Sequence, residues 1–118
     1  MKTSELTGAA LDWAVAKCEG LLCFGYRTDG ERFAVELSDG EVEGFMPSTN
    51  WVQGGAIIER EGIGLVSPHD DINEWEAYHP TQVHDEYYGA TPLIAAMRCY
   101  VASKLGDEVQ IPEELTNE

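Results

Sequence analysis

Apolar residues recur every three or four positions near the start of the chain, which predicts a helix over Thr7–Glu19. Thr7 suits the N-cap position, and Gly20 ends the segment. The inward stripe consists of Leu11, Ala14, Val15 and Cys18. Trp13 points away from this stripe, so its ring is either exposed or covered by a partner, as aromatic residues at interfaces often are.

A second helical pattern runs from Thr91 to Gly106 and has almost no polar side. Thr91 is a good N-cap, Pro92 fits the first turn, and Gly106 follows the last turn. The apolar stripe comprises Leu93, Ile94, Met97, Tyr100, Val101 and Leu105. The opposite side has only small uncharged residues: Ala95, Ala96, Cys99, Ala102 and Ser103. Such a helix is covered on both sides, by a sheet and by either a second helix or a second copy of the chain. A core helix in a monomer is the first interpretation. The alternative is a homo-oligomer, whose predicted contacts are Trp13, Ala95, Cys99 and Ala102.

Between these helices, three segments rich in strand-forming residues are separated by turn signals. The predicted strands are Leu21–Tyr26, Arg32–Leu37 and Glu41–Met46. Asp-Gly pairs within Thr28–Glu31 and Ser38–Gly40 predict the turns. Alternation places Phe33, Val35 and Leu37 on one face of the middle strand. The three segments therefore form an antiparallel meander.

The remaining segments are less regular. Pro47–Gly55 is interpreted as a loop and Ala56–Glu61 as a short helical turn or an extended piece; strands are predicted over Ile63–Ser67 and Glu74–Tyr78, and a polar loop over His79–Ala90. The acidic end, residues 107–118, is expected to fray. The chain 1–118 is thus predicted to be one compact α+β domain, in which an antiparallel sheet packs with the C-terminal helix.

Charge is the most unusual feature of the composition, with 22 acidic against 7 basic residues and a net charge of −15. Such a field repels phosphate backbones, so no nucleic-acid partner is expected. The acidity is consistent with simple solubility, with steering of a basic partner, or with imitation of nucleic acid in a protein's DNA-binding cleft. No apolar run approaches the ~20 residues that span a bilayer, and no signal-peptide pattern is present. A cytoplasmic protein with no membrane partner is expected.

Motifs of catalysis and of metal binding are missing from the sequence. Eight candidate metal ligands crowd into one region: His69, Asp70, Asp71, Glu74, His79, His84, Asp85 and Glu86. Their spacing matches no metal motif, so a solvated acidic loop is the better interpretation. No nucleophile elbow or phosphate-binding glycine loop occurs, and Cys18, Cys23 and Cys99 are expected to be reduced thiols. The expectation is a non-enzyme without metal or cofactor.

A group of aromatic, amide and arginine residues suggests a ligand pocket instead. The candidates are Asn50, Trp51, Gln53, Arg60, Tyr87, Tyr88, Thr91 and Arg98. Rings stack on bases, arginine pairs with phosphate or carboxylate, and a helix N-terminus accepts anions. Convergence of these residues would make a basic pocket for a small nucleotide-derived anion within an acidic protein. Ion pairs inside the fold for Arg60 and Arg98, and simple packing for Trp51, are the alternative.

Three stretches of the chain resemble a known family. TSELTGAALDWAVAKCEG (3–20), PSTNWVQGGAIIEREGI (47–63) and YGATPLIAAMRCYVASKLGDEVQIP (88–112) are similar to NinX-like proteins of tailed bacteriophages. The resemblance implies a small phage accessory protein that is non-essential for virion structure and acts in the cytoplasm of the infected bacterium. It brings no established catalytic residues to transfer.

Small phage accessory proteins often counter bacterial immunity, and this analogy ranks the hypotheses. The first is an anti-defence sponge that binds a nucleotide-derived immune signal without cleaving it, since catalytic motifs are absent. The alternative is an acidic inhibitor or DNA mimic that binds a host protein, such as a defence protein. An enzyme ranks third, because it would need a nucleophile or metal that the sequence does not contain.

Overall fold

Helix α3 (Pro92–Leu105) lies at the centre of the fold in the computed structural model, which describes residues 1–20, 23–29, 32–37, 41–82 and 85–116. Thr91 caps α3 as predicted, since its hydroxyl oxygen accepts the Ile94 N–H at 3.1 Å. Pro92 occupies the first turn, and Gly106 ends the helix with a φ of +88°. Both sides of α3 are covered within the one chain, by helices α1 (Gly8–Cys18) and α2 (Trp51–Glu61) and by a small sheet.

This coverage corrects the predicted oligomer contacts. Ala95, Cys99 and Ala102 are at most 5% exposed in the single chain, so the chain itself covers the small-residue side of α3. Trp13 is half-buried and packs against the core, and the Lys17 ammonium lies 5.3 Å from its ring centroid. Because intramolecular packing already covers these side chains, none of them needs a second copy.

The N-terminal helix follows the predicted stripe but not the predicted cap. Leu11, Ala14 and Val15 of α1 are fully buried. Thr7 stands at the N-cap, but its side chain makes no capping hydrogen bond; only its carbonyl accepts the Leu11 N–H, at 3.3 Å. A short 3₁₀ turn, Thr3–Glu5, precedes the helix.

The predicted meander is confirmed as an antiparallel sheet with the order β1–β2–β3. Its strands are β1 (Cys23–Asp29), β2 (Arg32–Leu37) and β3 (Val42–Gly44). Phe33 and Val35 face the core, as their alternation predicts. The described residues do not include the start of the first predicted strand (21–22) or the two turn centres (30–31 and 38–40). They do not include the side chain of Leu37 either.

The later short strands form a second antiparallel sheet of their own, in the order β4–β5–β6. They are β4 (Gly64–Val66), β5 (Trp75–Tyr78) and β6 (Tyr87–Gly89). The third of these corrects the predicted loop over His79–Ala90, because Tyr87 and Tyr88 pair with Ala77 and Glu76 of β5. The α+β class stands, with two small sheets in place of one.

The predicted loop Pro47–Gly55 is wrong, because α2 begins at Trp51 and continues through Glu61. Asn50 caps it: its side-chain oxygen accepts the N–H groups of Val52 and Gln53 at 2.8 and 3.2 Å. Gly62, in the left-handed conformation at φ +71°, ends it. The pair Gly54–Gly55 therefore lies inside a helix.

The expected fraying of the acidic tail is also wrong for the part described, residues 107–116. Val109 is 7% exposed and Leu115 9% exposed, and both belong to the core. The tail pairs with the N-terminus: Thr3 N–H donates to the Asp107 carbonyl and Val109 N–H to the Met1 carbonyl, both at 2.9 Å. Helix α4 (Glu113–Thr116) closes this end. None of the helices in the described ranges combines the length and apolarity that crossing a membrane demands.

Candidate functional site

A cleft of about 780 Å³ lies beside α3 in the described part of the chain. We call it the acidic cleft, and its lining residues are Lys2, Ser4, Glu74, Asp85, Glu86, Tyr87, Tyr88, Arg98, Asp107 and Glu108. Five carboxylates therefore face two cationic side chains. Ring surfaces and charged groups in one cavity of this size suit a ligand with both apolar and charged parts.

Pairing of the two chain ends builds one wall of the acidic cleft. The backbones of Lys2 and Glu108 form an isolated antiparallel β-bridge, and the Thr3 hydroxyl donates to the Gly106 carbonyl at 2.7 Å. These bonds place Lys2 and Ser4 beside the residues that follow α3. The opposite wall comes from β6 and the residues just before it. Because the two walls are distant in sequence, no local pattern predicts the cleft.

The electrostatic potential in the acidic cleft is negative around Tyr87 and Tyr88. Burial, together with the carboxylates of Asp85 and Asp107, raises the pKa of Tyr87 above its ordinary value. The pKa of Tyr88 is raised as well, by desolvation and then by Glu76, Glu86 and Glu74. Both rings therefore remain neutral phenols at physiological pH, next to a concentration of fixed negative charge.

Arg98 is the most deeply set charged group of the cleft. Its Nε–H donates to the Leu6 carbonyl at 2.7 Å, and Nη1 donates to the Tyr88 carbonyl at 2.6 Å. Desolvation by burial lowers its pKa from the ordinary value, although Glu74 and Glu5 partly compensate. Two main-chain oxygens thus fix the orientation of a guanidinium that lines the cavity.

Arg60 takes part in a different polar cluster. Its Nη1 and Nη2 bind the two carboxylate oxygens of Glu19 at 3.0 and 2.6 Å, and its Nε binds Glu61 at 3.0 Å. Nη2 also donates to the Tyr100 hydroxyl at 3.0 Å. Positions 98 and 100 of α3 point about 200° apart around the helix axis. Arg60 and Arg98 are therefore held on different sides of α3.

His79 extends this cluster and is itself buried, at 8% exposed. Its Nδ1 accepts the Thr81 backbone N–H at 3.2 Å, so the proton of the neutral ring belongs on Nε2, which lies 3.1 Å from Glu61. The hydrogen bond to His79, followed by that to Arg60, holds the pKa of Glu61 below its usual value. The cluster joins α1, α2 and α3 to the segment after β5.

Tyr100→Phe is expected to destabilise the fold by about 1–2 kcal/mol, because the ring would lose its hydrogen bonds with Glu19 and Arg60 in a partly buried cluster. The Tyr100 hydroxyl donates to Glu19 at 2.5 Å, and its side chain is only 2% exposed. Urea unfolding would measure the change. Tyr78→Phe, the same change on an exposed ring, is the control and should stay within about 0.5 kcal/mol. Equal effects of the two variants would contradict a structural role for the Tyr100 hydroxyl.

The structure brings only three of the eight predicted ligand residues together, namely Tyr87, Tyr88 and Arg98 in the acidic cleft. Asn50 and Thr91 cap helices. Gln53 joins α2 to the β3 segment by accepting the Met46 N–H at 2.7 Å and donating to the Gly44 carbonyl at 2.8 Å. Trp51 is 57% exposed, and it lies about 13 Å along α2 from Arg60. The single converging pocket is thus corrected to one cleft with three of its predicted members.

The sequence interpretation missed the other cleft residues for different reasons. The pattern assigns Glu74, Asp85 and Glu86 to a solvated acidic loop, and Asp107 and Glu108 to a fraying tail. Among the described residues, no group of three His, Cys, Asp or Glu side chains is arranged to hold a metal ion; His84 lies outside them. Burial raises the pKa of both Cys18 and Cys99 to about 12, so these two thiols are poor nucleophiles.

Comparison with known proteins identifies a family. The family model described as Bacteriophage P22, NinX matches residues 2–104. This range includes α1, α2, both sheets and almost all of α3. No curated protein matches the chain significantly.

Proposed function

We propose that this chain, which belongs to the NinX family of bacteriophage proteins, acts by binding a basic surface of a protein in the infected cell. The contact surface would be the acidic cleft. The observation that carries the proposal is the composition of that cleft, which is lined by five acidic residues, two tyrosines and only two basic residues. This is the chemistry that recognises lysine and arginine side chains.

The charge of the whole chain favours the same kind of partner. A net charge of −15 produces a long-range negative field that accelerates encounter with a basic protein and repels nucleic acid. The five carboxylates of the cleft are all exposed, so they are available to a partner. Because exposed charges are screened within about 8 Å at physiological salt, binding should weaken as salt is added.

Capture of a nucleotide-derived signal is less favoured than the sequence suggested. Arg60 is already paired with Glu19 and Glu61, so its guanidinium is not free for a phosphate. Arg98 lines a cavity in which carboxylates outnumber cations, and a phosphate-bearing ligand with no positive charge of its own would meet that repulsion. The cleft chemistry therefore supports the inhibitor hypothesis ahead of the sponge hypothesis.

The test compares two variants of equal net charge. Asp85→Asn with Glu86→Gln neutralises the acidic cleft, whereas Glu43→Gln with Glu59→Gln neutralises two exposed carboxylates outside it. Each tagged protein is incubated with lysate of the bacterial host, and captured proteins are quantified by mass spectrometry at low and high salt. The expected result is a salt-sensitive basic protein that the wild type and the Glu43/Glu59 variant retain. The cleft variant should retain it about tenfold less, which is about 1.4 kcal/mol.

Two results would contradict the proposal. Equal retention by the two variants would show that only net charge matters. A thermal shift produced by cyclic dinucleotides or ADP-ribose derivatives, with the nucleotide recovered intact after denaturation, would return the sponge hypothesis to first place.

A further inference from the structure

Arg98 has hydrogen-bonding capacity that the described residues leave unused. A guanidinium carries five N–H donors, and two of these are occupied by the Leu6 and Tyr88 carbonyls. Three donors remain, including both on Nη2. No described carboxylate forms an ion pair with Arg98, in contrast to Arg60, which binds Glu19 and Glu61. Arg98 is thus a fixed, half-buried cation with a free edge in the acidic cleft.

The charges in the cleft differ in burial. Arg98 is half-buried, whereas Lys2 and the carboxylates of Glu74, Asp85, Glu86, Asp107 and Glu108 are exposed. The cleft therefore has one partly buried cation and a predominantly acidic exposed rim. A ligand that satisfies both parts carries an anionic group at its inserted end and positive charges behind it.

We propose that Arg98 binds a carboxylate, and that the acidic cleft selects the C-terminal carboxylate of a basic protein segment. A planar carboxylate matches the fork of a guanidinium and would fill donors that are otherwise unused. Lysine or arginine side chains just before that terminus would reach the exposed carboxylates of the rim. This inference rests on the proposed function, because a basic partner is what brings the carboxylate to the cleft.

The test uses two synthetic peptides that differ in one group. Both end in three lysines; one has a free C-terminal carboxylate and the other a C-terminal amide. Electrostatics of the rim alone would favour the amide, because that peptide lacks the negative charge of the terminal carboxylate. A carboxylate bound to Arg98 reverses this order, and isothermal titration calorimetry should give a Kd about tenfold lower for the free acid.

The outcomes separate the two proposals. If the amide binds as tightly as the acid or more tightly, the carboxylate site is overturned and the basic-partner proposal stands. If neither peptide binds, both are overturned. Arg98→Gln should abolish the preference for the acid. Lys104→Gln, which removes one positive charge from the exposed end of α3 outside the cleft, should preserve it. The comparison on the wild-type protein decides the matter even if Arg98→Gln does not fold.

Discussion

Gly54→Ala is expected to destabilise the protein by about 3 kcal/mol, although alanine is the better helix former. A Cβ at this position would lie 2.3 Å from the Pro47 carbonyl oxygen and 2.6 Å from a methyl carbon of Leu93. Backbone atoms of the turn before α2 cannot move away as a flexible side chain can. Helix α2 would therefore have to separate from α3 and from its own N-terminal turn, which loses packing on both.

The adjacent glycine provides the control. A Cβ at Gly55 would meet only the Trp51 ring, at 3.6 Å, which is an ordinary van der Waals distance. Gly55→Ala should therefore stabilise the fold by about 0.5–1 kcal/mol through helix propensity alone. Urea unfolding of both variants measures the contrast. Destabilisation of similar size in both would mean that the close approach of α2 to Pro47 does not constrain Gly54.

The same glycine explains why α2 escaped prediction. Two consecutive glycines weaken a helical pattern, so Pro47–Gly55 resembled a loop. The helix forms because Asn50 caps it and because Gly54 lets its backbone lie against Pro47 and Leu93. That benefit depends on contact with α3, and only the folded chain reveals it. By contrast, periodicity alone was enough for α1 and α3, whose apolar stripes are long and uninterrupted.

Coverage of α3 marks a second limit of sequence reasoning. The pattern correctly indicated a helix that is buried on both sides, but it did not identify what covers it. A second copy of the chain was one prediction, and packing by α1, α2 and the second sheet was the outcome. The burial of the C-terminal tail was not predicted, for a related reason. Val109 and Leu115 are isolated apolar residues among acids, and their burial follows from pairing between the chain ends.

The candidate site was partly visible in the sequence. Tyr87 and Tyr88 were identified because they precede a capped helix, and Arg98 because it is a charge beside the apolar stripe of that helix; all three line the acidic cleft. Arg60 and Trp51 were joined to them by residue type alone, and residue type carries no distance information. The carboxylates that change the expected ligand from an anion to a basic segment come from distant parts of the chain. A negative field could be inferred from composition, but its position could not.

Asp12→Asn is expected to stabilise the protein by about 2 kcal/mol at pH 7.5. Asp12 lies on α1 and is 2% exposed; its Oδ1 accepts the Ser48 N–H at 2.9 Å. Desolvation by burial, which this hydrogen bond only partly offsets, raises its pKa from 3.8 to about 6. A pKa difference of this size lowers the free energy of unfolding by roughly 3 kcal/mol when the carboxyl group is ionised in the folded state. Asparagine keeps an acceptor for Ser48 and avoids the buried charge, but burying its amide group offsets part of the gain.

The pH dependence provides the sharper test of Asp12. A folded-state pKa above the unfolded value means that the folded protein binds the extra proton, so the contribution of Asp12 to stability grows as pH falls through about 6. Glu19 and Glu61 act in the opposite direction, because their lowered pKa values cost stability only as pH falls below about 4.5. Between pH 7.5 and pH 4.5, the advantage of Asp12→Asn over the wild type should therefore shrink by about 2 kcal/mol. Asp71→Asn, on an exposed turn, makes the same charge change and should show no such convergence. If the free energies of unfolding of wild type and Asp12→Asn differ by a constant amount across this pH range, Asp12 is already protonated, or well solvated, in the folded protein.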